Sequence, residues 1–273
     1  MYYKRTIKAG KTLEIFKSYT KHIRPTKTGA GNIPKEETDR INRANAISKL
    51  TRKLNANLND NDFHIVLTYR REERPGCEQA KENLKKFFRK LRNLYRKAGH
   101  ELKYIHVTEY ARKSIHHHVV INGFEGCVGI IKNLWSFGRV HFTPLDSTGQ
   151  YRKLAEYLIK ETDKTFREKN GGQMQRYTPS KNIITPETKV EKIMAKSWTS
   201  EPKAIKGYYI DEESVYNGVN PFNGGLIQKY TLIRLPERRK RNERLYYEFS
   251  KNERIHTKRK TTRQIRAANV CSI

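Results

Sequence analysis

Three consecutive histidines, His116 to His118, lie inside an apolar, β-branched segment that predicts a strand from Ile115 to Ile121. Side chains alternate between the two faces of a strand, so His116 and His118 point to the same face, about 6–7 Å apart along it, and can share one metal ion. His117 points to the opposite face. Tyr157 follows further along the chain, and a metal ion with a tyrosine is a minimal set of groups for cleaving DNA.

A second predicted strand, Lys103 to Glu109, comes shortly before the histidines, so the two strands should form an antiparallel hairpin. With its turn centred just after Arg112, Glu109 lies directly opposite His116 and on the same face as His118. Two imidazoles and one carboxylate make a three-ligand site with open positions, suited to Mg²⁺ or Mn²⁺. A register slip of one residue would move Glu109 to the other face and destroy the site.

Tyr157 belongs to a predicted helix from about Gln150 to Thr162. Its side chain falls outside the apolar stripe of that helix, on a flank shared with Lys153 and Lys160. A phenol is a weak nucleophile at neutral pH, and a neighbouring ammonium group favours the phenolate and can pair with a phosphate. We expect Lys160, one turn after Tyr157, to do both.

The elements around these residues alternate in kind. In chain order we predict a strand at 63–69, an amphipathic helix at 80–95 ending before Gly99, the hairpin, a short helix up to Trp135, a strand at 139–142 and the tyrosine helix. This order predicts an α+β fold with a mainly antiparallel central sheet and helices packed on it. His64, His106 and His141 are expected to be structural.

Composition points to a polyanionic partner. The 273 residues hold 57 Lys and Arg against 28 Asp and Glu, a formal net charge of +29, and only 36% hydrophobic residues. Nucleic acid fits this excess better than a membrane surface, since neither a long amphipathic basic helix nor a lipidation signal is present. Without a secretion signal or a membrane-spanning run, we expect a cytoplasmic location, in a bacterial host cell.

Together these residues resemble the HUH endonuclease superfamily, and specifically its rolling-circle replication initiators from small plasmids, phages or integrative elements. The resemblance rests on three motifs in order: the strand ending Val66-Leu67-Thr68-Tyr69, the histidine pair with Glu109 before it, and Tyr157-x-x-Lys160. Trp135-x-x-Gly138 is also similar to the family. The middle position of the pair, usually hydrophobic, is here His117, and Lys153 stands where some initiators carry a second tyrosine.

The resemblance implies a mechanism and its partners. Metal held by Glu109 and the pair polarises the scissile phosphate of single-stranded or hairpin origin DNA, Tyr157 attacks it, and Lys160 steadies it. The product is a 5′-phosphotyrosine and a free 3′-OH that primes replication. No phosphate-binding Gly-x-x-x-x-Gly-Lys-[Ser/Thr] motif occurs, so no nucleotide cofactor is expected, and a host helicase and polymerase must take part.

Other interpretations stay open. Relaxases usually place the tyrosine before the histidines, the reverse of the order here, and single-tyrosine transposases are typically shorter. A non-enzymatic basic nucleic-acid-binding protein with structural histidines is the third.

For the whole chain we predict a basic N-terminal accessory segment (1–60), a nuclease core (61–165), a C-terminal extension (166–236) and a basic tail (237–273). Candidate phosphate contacts are Arg112, Lys113, Lys153, Arg238, Arg239 and Lys240.

Overall fold

The computed structural model describes residues 1–21, 34–111, 114–166, 175–220 and 223–236. These residues form ten strands and four helices. In chain order they are β1 (Tyr2–Ala9), β2 (Thr12–Ser18), α1 (Lys35–Asn57), β3 (Phe63–Leu67), α2 (Cys77–Lys97), β4 (Tyr104–Ala111), β5 (Ser114–Ile121), α3 (Cys127–Leu134), β6 (Val140–Pro144), α4 (Arg152–Phe166), β7 (Thr178–Pro179), β8 (Thr188–Ile193), β9 (Tyr208–Val219) and β10 (Leu226–Arg234).

The strands form two five-stranded antiparallel sheets. The histidine sheet has the order β6-β3-β5-β4-β7, and the terminal sheet has the order β8-β1-β2-β10-β9. The predicted α+β class with an antiparallel sheet and packed helices is confirmed. The chain divides into two units, Met1–Arg234 and Leu235–Ile273, and all of the elements above belong to the first.

One face of the histidine sheet packs on α2 and α3. Helix α2 forms because its apolar side chains recur at three- and four-residue spacing, so that Leu84, Phe87, Phe88 and Leu91 are buried together against the sheet. The helix ends at Gly99, whose φ of 77° is a left-handed conformation that glycine adopts without a steric penalty.

The opposite face packs on α1 and α4. Leu54 of α1 and Leu158 of α4 are almost fully buried with Val107 and Val120 of the two hairpin strands. Tyr151, just before α4, is also buried in this core, as the apolar stripe of the helix predicts. Helix α4 is thereby fixed over the face that carries the odd-numbered residues of β4.

The terminal sheet joins the two ends of the described chain, a pairing that the sequence did not predict. Strand β2 lies between β1 and β10, so residues near the N-terminus pair with residues before Arg234. Its polar link to α1 is a two-pronged ion pair in which the Arg52 guanidinium donates to Glu14 at 2.8 and 2.6 Å. Lys229 lies 3.5 Å from the same carboxylate. The domain boundaries given above remain predictions.

Trp135 and Gly138 fasten β3 to β6. The Trp135 indole donates a hydrogen bond of 2.8 Å to the Thr68 carbonyl, and a Cβ added at Gly138 would lie 2.1 Å from that same oxygen. This close backbone approach is possible because glycine has no side chain. It explains in structural terms why tryptophan and glycine occur at this spacing.

None of the helices in the described part of the chain combines the length and apolarity needed to cross a membrane.

We predict that Gly138→Ala lowers the free energy of unfolding by about 2 kcal/mol or more, because the new methyl group overlaps the Thr68 carbonyl. Chemical denaturation monitored by Trp fluorescence measures this. The control is Gly129→Ala in α3, where a Cβ meets nothing within 4 Å and stability should rise by about 0.5–1 kcal/mol. Equal effects of the two substitutions would contradict the close approach.

Candidate functional site

The register of the β4–β5 hairpin matches the sequence-based prediction. Glu109 pairs with His116 and Val107 with His118, so the acidic residue and both outer histidines share the face covered by α4. The predicted alternation of the three histidines is confirmed, because His117 lies on the opposite face, in the core beneath α2.

His117 is a structural residue held by two hydroxyl groups. Its Nε2 lies 3.0 Å from the Tyr69 hydroxyl and its Nδ1 lies 2.9 Å from the Thr108 hydroxyl. The side chain is fully buried. Both ring nitrogens are therefore satisfied, and His117 is not needed for any metal.

Glu109, His116 and His118 come together as a cluster. One carboxylate oxygen of Glu109 lies 3.7 Å from His116 Nδ1 and 3.8 Å from His118 Nε2. These distances are too long for hydrogen bonds. Two ligands of one Mg²⁺ ion are separated by about 3 Å in neighbouring positions and about 4.2 Å in opposite positions, so the observed spacing falls within that range.

The donor chemistry of this cluster fits a divalent cation. Among the described residues, His118 Nε2 is buried without a hydrogen-bond partner, although it faces the Glu109 carboxylate. A buried polar atom of this kind is costly unless something pairs with it. As the side chains stand, no group of three or more His, Cys, Asp or Glu in the described residues is arranged to hold a metal ion. Binding therefore requires the three side chains to adjust.

His64 supports the cluster from β3, where the sequence suggested only a structural residue. Its Nε2 lies 3.3 Å from His118 Nδ1, and the two rings are nearly parallel. This contact occupies one nitrogen of His118 and leaves the other directed at Glu109. Alternation along β3 could have indicated the face of His64, but its place beside His118 depends on the β3–β5 register.

Tyr157 lies at the edge of this cluster. Its ring is edge-on to His118 at a centroid distance of 5.4 Å and to His64 at 6.0 Å. The side chain is 42% exposed, so the phenol can be reached from solvent. The structure thus brings Tyr157 to the same face as Glu109 and the histidine pair.

The electrostatic environment of Tyr157 differs from the one we expected. Partial burial raises the pKa of the phenol, and the negative charges of Glu161 and Glu109 raise it further. The expectation that Lys160 favours the phenolate is therefore not met, because the charges acting on this phenol are acidic. A cation that neutralises Glu109 would reverse part of this effect.

Glu161 is a residue that the sequence analysis missed. It stands one turn after Tyr157 on α4, and its charge acts on His116, His118 and Tyr157 alike. The signal was present in the sequence, because residues four apart on a helix share a face.

A groove between α1 and α4 leads to Tyr157. Basic, apolar and acidic side chains line it: Arg40, Arg43, Ala44, Ile47, Glu156, Tyr157 and Lys160. Lys160 is exposed in this groove beside the tyrosine. The groove therefore offers cations to a phosphate that approaches the phenol.

The remaining predicted contacts fall in two groups. Lys153 is exposed and lies 3.5 Å from Glu213 of β9, so it faces the terminal sheet. The other predicted contacts lie outside the described residues: Arg112, Lys113, Arg238, Arg239 and Lys240.

Comparison with known proteins supports a role in replication. Residues 62–166 match the family model of the replication-associated protein ORF2. The matched segment holds Glu109, His116, His118, Tyr157 and Lys160, and it leaves out most of the terminal sheet. The match supports a replication initiator family. Searches of curated proteins and of solved structures return no significant match.

We predict that acid destabilises the fold through its buried histidines. Burial lowers the pKa of His64, His106 and His118 to about 4 and that of His117 to about 3. Below pH 6.5 the unfolded chain binds protons that the folded chain does not, so the free energy of unfolding falls from pH 6.5 towards 4. Each such proton contributes a slope of about 1.4 kcal/mol per pH unit.

Urea denaturation at pH 7, 6 and 5 measures this slope. His117→Gln should reduce it by about one proton, at a cost in stability at pH 7. A slope unchanged by that substitution would contradict the assignment of His117 as a buried neutral residue.

Proposed function

We propose that this chain is a rolling-circle replication initiator of the HUH type, which nicks and religates single-stranded origin DNA through a covalent 5′-phosphotyrosine. The observation that carries the proposal is the convergence of Tyr157 with His118, and through it with Glu109 and His116, on one face of the histidine sheet. The replication-associated family match is consistent with it.

Glu109, His116 and His118 would hold the divalent cation, Mg²⁺ or Mn²⁺. When bound, the cation supplies positive charge that polarises a phosphodiester and offsets the Glu109 carboxylate. His64 keeps the His118 ring oriented for this task, because its hydrogen bond engages Nδ1 and leaves Nε2 for the cation. The buried Nε2 atom without a partner is the structural sign of such a role.

Tyr157 supplies the nucleophile. Its hydroxyl oxygen forms a bond to phosphorus while the bond from phosphorus to the 3′-oxygen breaks, so the phenol loses a proton and the departing 3′-oxygen gains one. Lys160 pairs with the phosphate oxygens from the groove beside the tyrosine. The reverse reaction, attack of a 3′-OH on the phosphotyrosine, reseals the strand.

The arrangement favours an enzyme over a purely structural basic protein. His117 shows how a structural histidine looks in this fold, fully buried with both nitrogens paired to hydroxyl groups. His116 differs, since its side chain is 35% exposed beside a carboxylate. Such an exposed imidazole, next to an accessible phenol, contributes little to the core.

We predict that Tyr157→Phe abolishes covalent attachment to DNA and leaves DNA binding unchanged, because only the attacking oxygen is removed. The assay incubates the protein with labelled single-stranded origin DNA and Mn²⁺ and detects a shifted band after denaturing electrophoresis. Tyr209→Phe is the matched control, since Tyr209 is 41% exposed but lies on β9 of the terminal sheet. A covalent band that persists in Tyr157→Phe would refute the proposed nucleophile.

We predict that Glu109→Gln and His116→Ala each weaken Mn²⁺ binding by at least about tenfold, measured by calorimetry or by electron paramagnetic resonance. His141→Ala is the control, since His141 is exposed on β6. Retained Mn²⁺ affinity in both cluster variants would place the metal elsewhere.

A further inference from the structure

A second cavity lies on the other face of the histidine sheet. Its volume is about 750 Å³, within the range of small-molecule sites. Strand β4 separates it from the tyrosine site: the even-numbered residues of β4 line this cavity, whereas Glu109 faces α4. Nothing in the proposed nicking chemistry uses this cavity.

One wall of the cavity is a row of cations on α2. Lys81, Lys85, Arg89 and Arg92 fall within about 80° of the helix circumference and span about 16 Å along it. In the described structure no Asp or Glu lines the cavity. Lys81 and Lys85 pair with glutamates on the exposed surface of the helix, which leaves the cavity positive.

The floor of the cavity is aromatic. Phe88 and Tyr104 stack on one another at a centroid distance of 3.8 Å and are almost fully buried. His106 and Tyr110 follow on the same face of β4 and remain partly exposed, so their rings are available to a planar ligand. Rings beside a row of cations are typical of sites that bind single-stranded nucleic acid.

His106 carries a polar atom that nothing in the described residues satisfies. Its Nδ1 is buried and has no hydrogen-bond partner there, although the ring lines the cavity. Burial lowers the pKa of His106 to about 4, so the ring is neutral at physiological pH. A ligand with hydrogen-bonding groups in its plane would meet the need of this nitrogen, which inorganic phosphate does not.

We propose that this cavity is a nucleotide-binding site, in which a nucleobase lies against His106 and Tyr110 and its phosphate pairs with Lys85 and Arg89. The proposal is separate from the nicking reaction, because the site lies on the opposite face of β4. The nucleotide can come from a single strand of nucleic acid or from the free pool, and the recognising chemistry is the same.

The test measures the affinity of the full chain for fluorescein-labelled octathymidylate by anisotropy, with a chelator present to prevent cleavage. Lys85→Gln/Arg89→Gln removes two cavity cations. Lys86→Gln/Lys90→Gln is the matched control, with the same charge change and spacing on the same helix but outside the cavity. We expect about fivefold weaker binding for the first pair and less than about twofold for the second.

The base is tested with Tyr110→Leu, which loses the flat ring, and Tyr110→Phe, which keeps it. Tyr110→Leu should weaken octathymidylate by about fivefold or more and leave an abasic backbone of the same length unaffected, whereas Tyr110→Phe should bind normally. Equal affinities of the two lysine and arginine pairs, or an unchanged affinity of Tyr110→Leu for octathymidylate, would overturn the proposal.

Photocrosslinking locates the bound base directly. With 5-iododeoxyuridine in the oligonucleotide, trypsin should release a crosslinked peptide from Tyr104 to Arg112 that is modified at His106 or Tyr110. Crosslinks confined to peptides of α1 and α4 would overturn the site. Competition by dTMP that suppresses this crosslink assigns free nucleotides to the cavity, and competition by octathymidylate alone assigns a strand; both support the site.

Discussion

The register of the β4–β5 hairpin is the constraint on which the candidate site depends. Because side chains alternate along each strand, a shift of one residue would bury His116 and His118 beneath α2 and expose His117 on the α4 face. Two hydroxyl contacts oppose such a shift, since Tyr69 and Thr108 bind both nitrogens of His117 in the core. The middle histidine therefore determines which face receives its two neighbours.

Helix α1 connects the two sheets and supports the tyrosine helix. It packs beside α4 through the core that includes Leu54 and Leu158, and it binds the terminal sheet through the ion pair between Arg52 and Glu14. The position of Tyr157 is thus set by elements from outside the matched family segment as well as within it. This arrangement gives the N-terminal part of the chain a structural role at the site.

The sequence predicted the parts of the structure that depend on local periodicity. The hairpin, its register, helix α2 and the exposed flank of α4 all follow from alternation or from three- and four-residue spacing. The pairing of β2 with β10 could not be predicted in this way, because it joins distant residues through backbone hydrogen bonds. The contact of His64 with His118 was missed for the same reason, since it depends on how β3 aligns with β5.

The acidic side chains gain importance from their scarcity in a chain of net charge +29. Glu109 and Glu161 both act on the phenol of Tyr157, which places negative charge where a phosphate must approach. A divalent cation at Glu109 resolves this conflict, and it links metal binding to the nucleophilicity of the tyrosine.

The most direct test of this account is mass spectrometry of the trypsin-digested reaction with origin DNA. The account predicts a nucleotide adduct on the peptide Leu154–Lys160, in which Tyr157 is the one tyrosine. An adduct on any other tyrosine, or strand cleavage with no adduct at all, would contradict it.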